Sequence, residues 1–207
     1  MILYTDATTP FGRKCLIAAL EREIPLEERF IKLSEPGDFL DVNPLNQIPA
    51  LFVERGKCYF DSDVILDYLD TLHEGSPLIP ALNRFECKTA IHLANGVIES
   101  TLLRTMELRR PECQQSKTYV AHLEARVMRG INTMEKKRET KIGDWLNGEE
   151  ITTAVALSYV DFRFSTEWRK TAPTLETWFE RVSCRKSMEL TAPTRERPIT
   201  MIDKIRV

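Results

Sequence analysis

Between residues 74 and 80 the chain reads Glu-Gly-Ser-Pro-Leu-Ile-Pro, and prolines with a glycine so close together end any helix that reaches them. The residues on either side obey different rules. Before the break, short apolar runs alternate with helical stripes; after it, every apolar pattern repeats at three and four residues. A chain patterned this way is expected to fold as a small mixed α/β unit followed by an all-helical one. The boundaries that follow are residues 1–74 for the first domain, 75–82 for the linker and 83–207 for the second.

In the first third, Ile2-Leu3-Tyr4 is a short apolar strand closed by Thr5-Asp6. Thr8-Thr9-Pro10 opens a helix, with a hydroxyl residue at the cap and proline in the first turn, where a missing N–H costs nothing. Phe11, Cys15, Leu16, Ala18, Ala19 and Leu20 recur behind it at helical spacing, and Pro25 is expected to end it. A second strand follows at 29–31, then a helical turn over 38–41 and an Asn43-Pro44 loop. Strands at 50–53 and 58–60 flank Glu54-Arg-Gly-Lys57 as a hairpin, and Asp61-Ser62 precede a stripe of Val64, Ile65, Tyr68, Leu69 and Leu72. The order is βαβαββα. Strand, crossover helix and strand make a parallel pair, to which the hairpin adds antiparallel strands.

Beyond the linker the pattern predicts four helices. Ile91, Ala94, Ile98, Leu102 and Met106 mark a long one that stops before Pro111; Val120, Leu123, Val127, Ile131 and Met134 mark a second over about 113–138. Asn147 and Glu150 have the spacing of a capping box for a third, which carries Ala154, Val155, Tyr159 and Phe162. Leu175, Trp178, Phe179 and Val182 mark a fourth, starting near Pro173 or Thr174. The charged run at 135–139 reads as a solvated helix end.

Composition closes off other classes. Hydrophobic residues at 43% and charged residues at 29% are those of a folded globular chain, not a disordered one. A net charge of −2 from 29 basic and 31 acidic residues argues against nucleic acid or an anionic membrane as partner. No apolar run approaches the roughly 20 residues that span a bilayer, and the start lacks a secretory pattern, so a cytoplasmic location is expected. Cys15, Cys58, Cys87, Cys113 and Cys184 show no CxxC pair and His73, His92 and His122 are scattered, so the expectation is reduced thiols and no metal.

Three segments of the first domain carry candidate chemistry, and each has a plainer use. The leading end of the first helix, with Thr8 and Thr9, suits an anion, and a hydroxyl there can donate to a thiolate; either threonine can equally be only a cap. Ile48-Pro49 enters the third strand, where a cis bond would turn the Ile48 backbone toward an extended ligand, although X–Pro bonds are cis in only about 5–6% of cases. Asp61-Ser62 opens the third helix, where N–H groups and a hydroxyl can hold a carboxylate and Asp61 an ammonium, or where Asp61 can simply cap.

These three occur in order in Tyr4-Thr-Asp-Ala-Thr-Thr-Pro-Phe-Gly-Arg-Lys14, Asn43-Pro-Leu-Asn-Gln-Ile-Pro-Ala-Leu51 and Phe60-Asp-Ser-Asp-Val-Ile-Leu-Asp-Tyr68. On these motifs the chain resembles the glutathione transferases along its whole length, most closely the small bacterial ones. The resemblance implies a thioredoxin-like first domain that binds glutathione and a helical second domain that shapes a pocket for a small, apolar electrophile and much of a homodimer interface. It implies a cis Pro49, with the Ile48 backbone pairing with the cysteinyl part of glutathione. Asp61 and Ser62 would hold the γ-glutamyl end, Phe11 and Gln47 would touch the ligand, and Thr9, or Thr8, would face the sulfur. Two departures stand out: Thr9 replaces the Ser or Cys common in bacterial relatives, and Asn95 stands where relatives often carry an acid, with Glu99 one turn on.

Thr9 cannot form a mixed disulfide, and Cys15 lies on the apolar side of its helix, so conjugation is favoured over disulfide reduction. Two other functions stay open: a non-catalytic binding module on the same fold, and a thiol reductase or peroxidase using Cys15. Leu102, Leu103 and Met106 are expected in the core more than in an electrophile pocket. Arg104, Arg109 and Arg110 could attract an acidic substrate, with solvated surface the plainer use, and the tail at 195–207 either covers the cleft or moves freely.

Overall fold

The computed structural model describes residues 1–137, 143–194, 201 and 202. β1 (Ile2–Thr5), α1 (Pro10–Glu21), β2 (Leu26–Phe30), α2 (Phe39–Val42), β3 (Ala50–Phe52), β4 (Cys58–Tyr59) and α3 (Ser62–Asp70) follow in the expected order. β1 and β2 are parallel, while β3 runs antiparallel to both β1 and β4. α1 stops short of Pro25: the Ile24 N–H bonds back to the Ala19 carbonyl at 2.9 Å, with Glu23 left-handed at φ 52°. β2 therefore begins at Leu26, earlier than the pattern at 29–31 suggests, in register with Ile2 opposite Glu27.

The second half contains α4 (Arg84–Leu108), α5 (Lys117–Glu135), α6 (Gly148–Arg163), α7 (Pro173–Ser183) and the short α8 (Lys186–Leu190), which has no signal in the sequence. α5 starts later than Cys113, after a separate turn at Glu112–Gln114, because the Ser116 hydroxyl caps it by accepting from the Tyr119 N–H. The capping box of α6 is formed, with bonds of 2.9 Å in both directions between Asn147 and Glu150. The run at 135–139 needs correction. Lys136 and Lys137 are exposed as expected, but Glu135 is half-buried and accepts the Thr174 and Leu175 N–H groups at 3.1 and 2.7 Å, so the end of α5 caps α7; Arg138 and Glu139 lie outside the described residues.

The second half is also not wholly helical. β5 (Met201–Ile202) pairs antiparallel with Leu26 and Glu27, making the sheet order β4-β3-β1-β2-β5. A two-residue edge strand has no periodicity to betray it. The rest of the 195–207 tail lies outside the described residues.

α1 lies between the two halves and joins them. Leu16 and Ile17 are fully buried in one continuous apolar core that runs from Leu3 and Leu51 in the sheet to Ile98, Val155 and Trp178 among the helices. Each such side chain contributes about 1.5–3 kcal/mol. Polar groups tie the same helix outward. The buried Arg13 guanidinium donates to Ser158, Thr191 and the Met188 carbonyl at 2.6–3.2 Å, and Arg185 and Ser187 donate to the Glu21 carboxylate. The linker is pinned too, since the Asp70 carboxylate takes the Leu78 and Ile79 N–H groups and the Leu78 carbonyl accepts from Gly148. The cleft between the halves thus has fixed walls.

Candidate active site

Strand register brings the three segments together. Tyr4 of β1 pairs with Ala50 of β3, and Leu51 of β3 pairs with Tyr59 of β4. Residues just before β3, just after β1 and just after β4 must then emerge at one end of the sheet. There they line a cleft of about 880 Å³ that includes Thr8, Thr9, Phe11, Gln47, Ile48, Pro49, Asp61 and Ser62. The Ile48–Pro49 and Phe60–Asp61 bonds are both cis.

At the leading end of α1 the two threonines part company. The Asp6 Oδ1 accepts the Thr8 N–H, the Thr9 N–H and the Thr8 hydroxyl at 2.6, 2.7 and 3.1 Å. Thr8 is therefore engaged, and a carboxylate already accepts from the two N–H groups that lead into the helix. Thr9 occupies the cap position without making a side-chain cap bond, and its hydroxyl has no hydrogen-bond partner among the described residues. Asp6 is a site residue that no motif singles out; an Asp three residues before a helix cap is a common turn former.

Packing below Thr9 is equally particular. A β-carbon on Gly12 would lie 1.9 Å from the Thr5 Oγ1 and 2.8 Å from the Thr9 Cγ2. Glycine here lets α1 sit directly on β1, and it also sets where the Thr9 side chain can be.

The loop before β3 is held by Asn43, a buried residue that sequence reasoning passes over as part of a turn. Its amide donates to the Gln47 carbonyl at 2.7 Å and accepts the Leu45 N–H at 3.1 Å, while Asn46 takes the left-handed conformation that asparagine tolerates, at φ 51°. Across the cleft, Asp61 caps α3 by accepting the Asp63 N–H at 3.0 Å, so the plainer use of this residue is realised, on one of its oxygens. The Ser62 hydroxyl, in a residue only 2% exposed, has no partner among the described residues.

Behind Ser62 lies a network that the motifs did not reveal. The fully buried Lys14 donates to Asp63 at 2.5 Å and to Asn95 at 2.9 Å, and the Asn95 amide donates to both Asp63 oxygens. Burial acts to raise the Asp63 carboxyl pKa, but the Lys14 charge and the hydrogen bonds from Lys14 and Asn95 outweigh it and hold it below the usual range. Asn95 thus faces this network and is not among the residues lining the cleft, whereas Glu99, one turn on, is; the asparagine amide is what lets one side chain serve both a cation and a carboxylate.

Comparison with known proteins fits this geometry. Residues 8–72 match the family model described as the glutathione S-transferase N-terminal domain. A Pseudomonas fluorescens Pf-5 glutathione transferase family member, solved with bound glutathione, is 30% identical over 93% of this chain and 98% of its own, with a TM-score of 0.86. This chain belongs to the glutathione transferase family. A Methylobacillus flagellatus KT glutathione S-transferase, also solved with glutathione bound, is 28% identical over 93% of this chain and 99% of its own, with a TM-score of 0.87. The GST-like protein YibF of Escherichia coli K12 is 29% identical over 94% of this chain and its full length. The first domain is thioredoxin-like and the second helical, as in the family.

In this family member the helical wall of the cleft departs from expectation. Leu103 and Met106 are 37% and 51% exposed and line the cleft with Leu102, so they are not core. Arg104 is paired with Glu124 and Arg110 with Glu107, whereas Arg109 reaches the cleft, joined by Tyr159 and Arg163 from α6. Tyr159 and Arg163 were legible only as one apolar and one charged position on a helix. Glu99 also lines the cleft, with Arg126 at 3.7 Å. Cys15 is fully buried, and burial pushes its thiol up to about 12, so it is a core residue. Among the described residues no group of three or more metal-ligating side chains occurs, and no helix is long and apolar enough to cross a membrane.

Proposed function

We propose that this glutathione transferase family member is itself a transferase: it binds glutathione in the cleft and joins its sulfur to a small electrophile. The observation that carries this reading is the contrast between the two threonines. Thr8 spends its hydroxyl on Asp6, while the Thr9 hydroxyl is free at the helix end and lines the cleft. Thr9 donates to the thiolate; the Ser62 hydroxyl and the start of α3 take the γ-glutamyl carboxylate; Asp61 offers its remaining oxygen to the ammonium. The Ile48 backbone pairs with the cysteinyl unit, flanked by Gln47, Pro49 and Phe11. The glutathione-bound relatives support this set by likeness. A cytoplasmic homodimer without a metal cofactor belongs to the same reading.

In the reaction the thiol proton leaves to solvent and a sulfur lone pair forms the bond to the electrophilic carbon. The displaced pair departs with the leaving group or, in an addition, takes a proton from water. A thiol of pKa about 8.5 is only about 3% ionised at neutral pH. Lowering it by about two units raises that fraction about 25-fold, but nucleophilicity falls about 8-fold at a Brønsted slope near 0.4–0.5, leaving roughly a threefold gain. Positioning sulfur against carbon must supply most of the acceleration. Asp6, whose charge already sits on the helix end, strengthens that conclusion because it opposes a second anion nearby.

Calorimetry with glutathione, followed by turnover of 1-chloro-2,4-dinitrobenzene, tests the reading. Saturable binding with a rate above the uncatalysed one is expected. Binding without turnover would favour a non-catalytic module, and no binding would sink the proposal. A Cys15-dependent reductase is disfavoured by the buried, high-pKa thiol.

A further inference from the structure

The wall of the cleft opposite the glutathione segments is amphipathic in a specific way. Leu102, Leu103 and Met106 make its apolar part; Arg109, Tyr159 and Arg163 make the rest. Each arginine closes its helix, where a cation suits the dipole, so position alone asks nothing of a ligand. Their surroundings do. The Arg163 guanidinium lies 4.1 Å from the centre of the Phe162 ring and 6.0 Å from that of Tyr159, and its Nε is buried with no hydrogen-bond partner among the described residues. Stacking on a ring fixes the plane of the fork, so that its terminal nitrogens, not the buried Nε, are the ones to meet a planar, two-oxygen acceptor.

The nearby carboxylates are already taken. Asp6 has its three donors, Glu99 has Arg126 at 3.7 Å, and Asp161 has Arg169 at 2.7 Å. Neither Arg109 nor Arg163 has an ion-pair partner among the described residues. Burial raises the Tyr159 hydroxyl pKa against the Arg163 charge and a hydrogen bond from Arg163, so the hydroxyl stays protonated and keeps its own proton to donate. Two cations and a hydroxyl thus share the helical wall of the cleft with Leu102, Leu103 and Met106, and the one carboxylate on that wall, Glu99, faces Arg126.

We propose that the electrophile carries a carboxylate, held by Arg163 and Arg109 with Tyr159 donating beside them. Its apolar body rests on Leu102, Leu103 and Met106 and its reactive carbon faces the sulfur. This rests on the transferase reading and narrows its substrate class from simply apolar to apolar with one anionic end.

The matched pair 4-chloro-3-nitrobenzoate and 4-chloro-3-nitrobenzamide tests it, because only the charge at the far end differs. In both, sulfur bonds to the chlorine-bearing carbon and chloride leaves with the bonding pair. Each kcat/KM is divided by its uncatalysed rate constant with glutathione. We expect the acid to be favoured by about tenfold or more, and Arg163→Gln to cut that preference about tenfold, the size of one charge-assisted hydrogen bond. Arg163→Lys keeps the charge without the fork and should retain part of the preference. Glutathione affinity measured on the same samples reports the fold; should Arg163→Gln not fold, the exposed Arg109→Gln decides by the same ratio. Intact glutathione binding and turnover with no acid preference, or a preference that survives the substitution, overturns this inference and leaves the transferase reading standing. Failure to bind glutathione or to turn over either compound overturns both.

Discussion

The Lys14 Nζ lies 2.5 Å from an Asp63 carboxylate oxygen, with the Lys14 side chain wholly buried and that of Asp63 24% exposed. The pair joins α1 to α3 directly beneath Ser62, and Asn95 adds α4 to the same knot. The two helix ends that supply the candidate glutathione contacts are therefore held at a fixed separation by a charge pair and not by apolar packing alone.

Lys14→Met should be costly because it strands the Asp63 charge. We expect a loss of about 3 kcal/mol, the lower end of the range for breaking a buried pair, since Asp63 keeps some solvent. Denaturant unfolding reads this directly, and a loss under about 1 kcal/mol would mean the pair behaves like a surface one.

The same pair sets an acid limit. The Asp63 pKa is depressed in the folded state, so its contribution is fully present above the unfolded carboxylate range, near pH 4, and is lost as pH falls through the lower folded value. The melting temperature should hold down to about pH 5 and then drop, and Asp63→Asn, although less stable at neutral pH, should show a shallower acid slope. An equal slope in the variant would assign the acid loss to other carboxylates such as Glu135, which is also depressed: burial raises it, but the N–H groups of Leu175 and Thr174 win.

Gly12→Ala tests the link between packing and site. The added carbon meets Thr5 and Thr9 at 1.9 and 2.8 Å, so α1 must lift or Thr9 must turn. An overpacking cost of about 1–3 kcal/mol is expected, together with weaker glutathione turnover. Full activity at unchanged stability would show that Thr9 tolerates displacement and plays no part.

Thr9→Ala and Thr8→Ala separate the two hydroxyls. Loss of one charge-assisted bond to sulfur should raise the pKa of bound glutathione by about one to two units and slow turnover only about threefold at neutral pH. The pH–rate profile is thus the sensitive readout: it should shift upward in Thr9→Ala and stay in place in Thr8→Ala. The reverse pattern would transfer the role to Thr8.

Ser62→Ala should weaken glutathione binding by about 1–3 kcal/mol, since the lost hydroxyl leaves a ligand carboxylate oxygen unpaired. An unaltered affinity by calorimetry would place the carboxylate elsewhere.

What the sequence alone determined is whatever local pattern encodes. The break at 74–80, the βαβαββα order, the capping box at Asn147 and Glu150, and the three segments around Thr9, Pro49 and Ser62 are all contiguous signals of period, cap and breaker, and so are legible one segment at a time. Tertiary structure decided what depends on partners distant along the chain. Which threonine is free follows from where Asp6 turns its carboxylate; that Asn95 serves Lys14 and Asp63 requires three helices to meet; that Arg163 faces the same cleft as Thr9 requires α6 to pack on α1. Even Glu135, which reads as surface, becomes a cap only when α7 begins beside it. Hydrogen bonds and ion pairs act over a few ångströms, and only the packed chain brings residues a hundred positions apart within that reach.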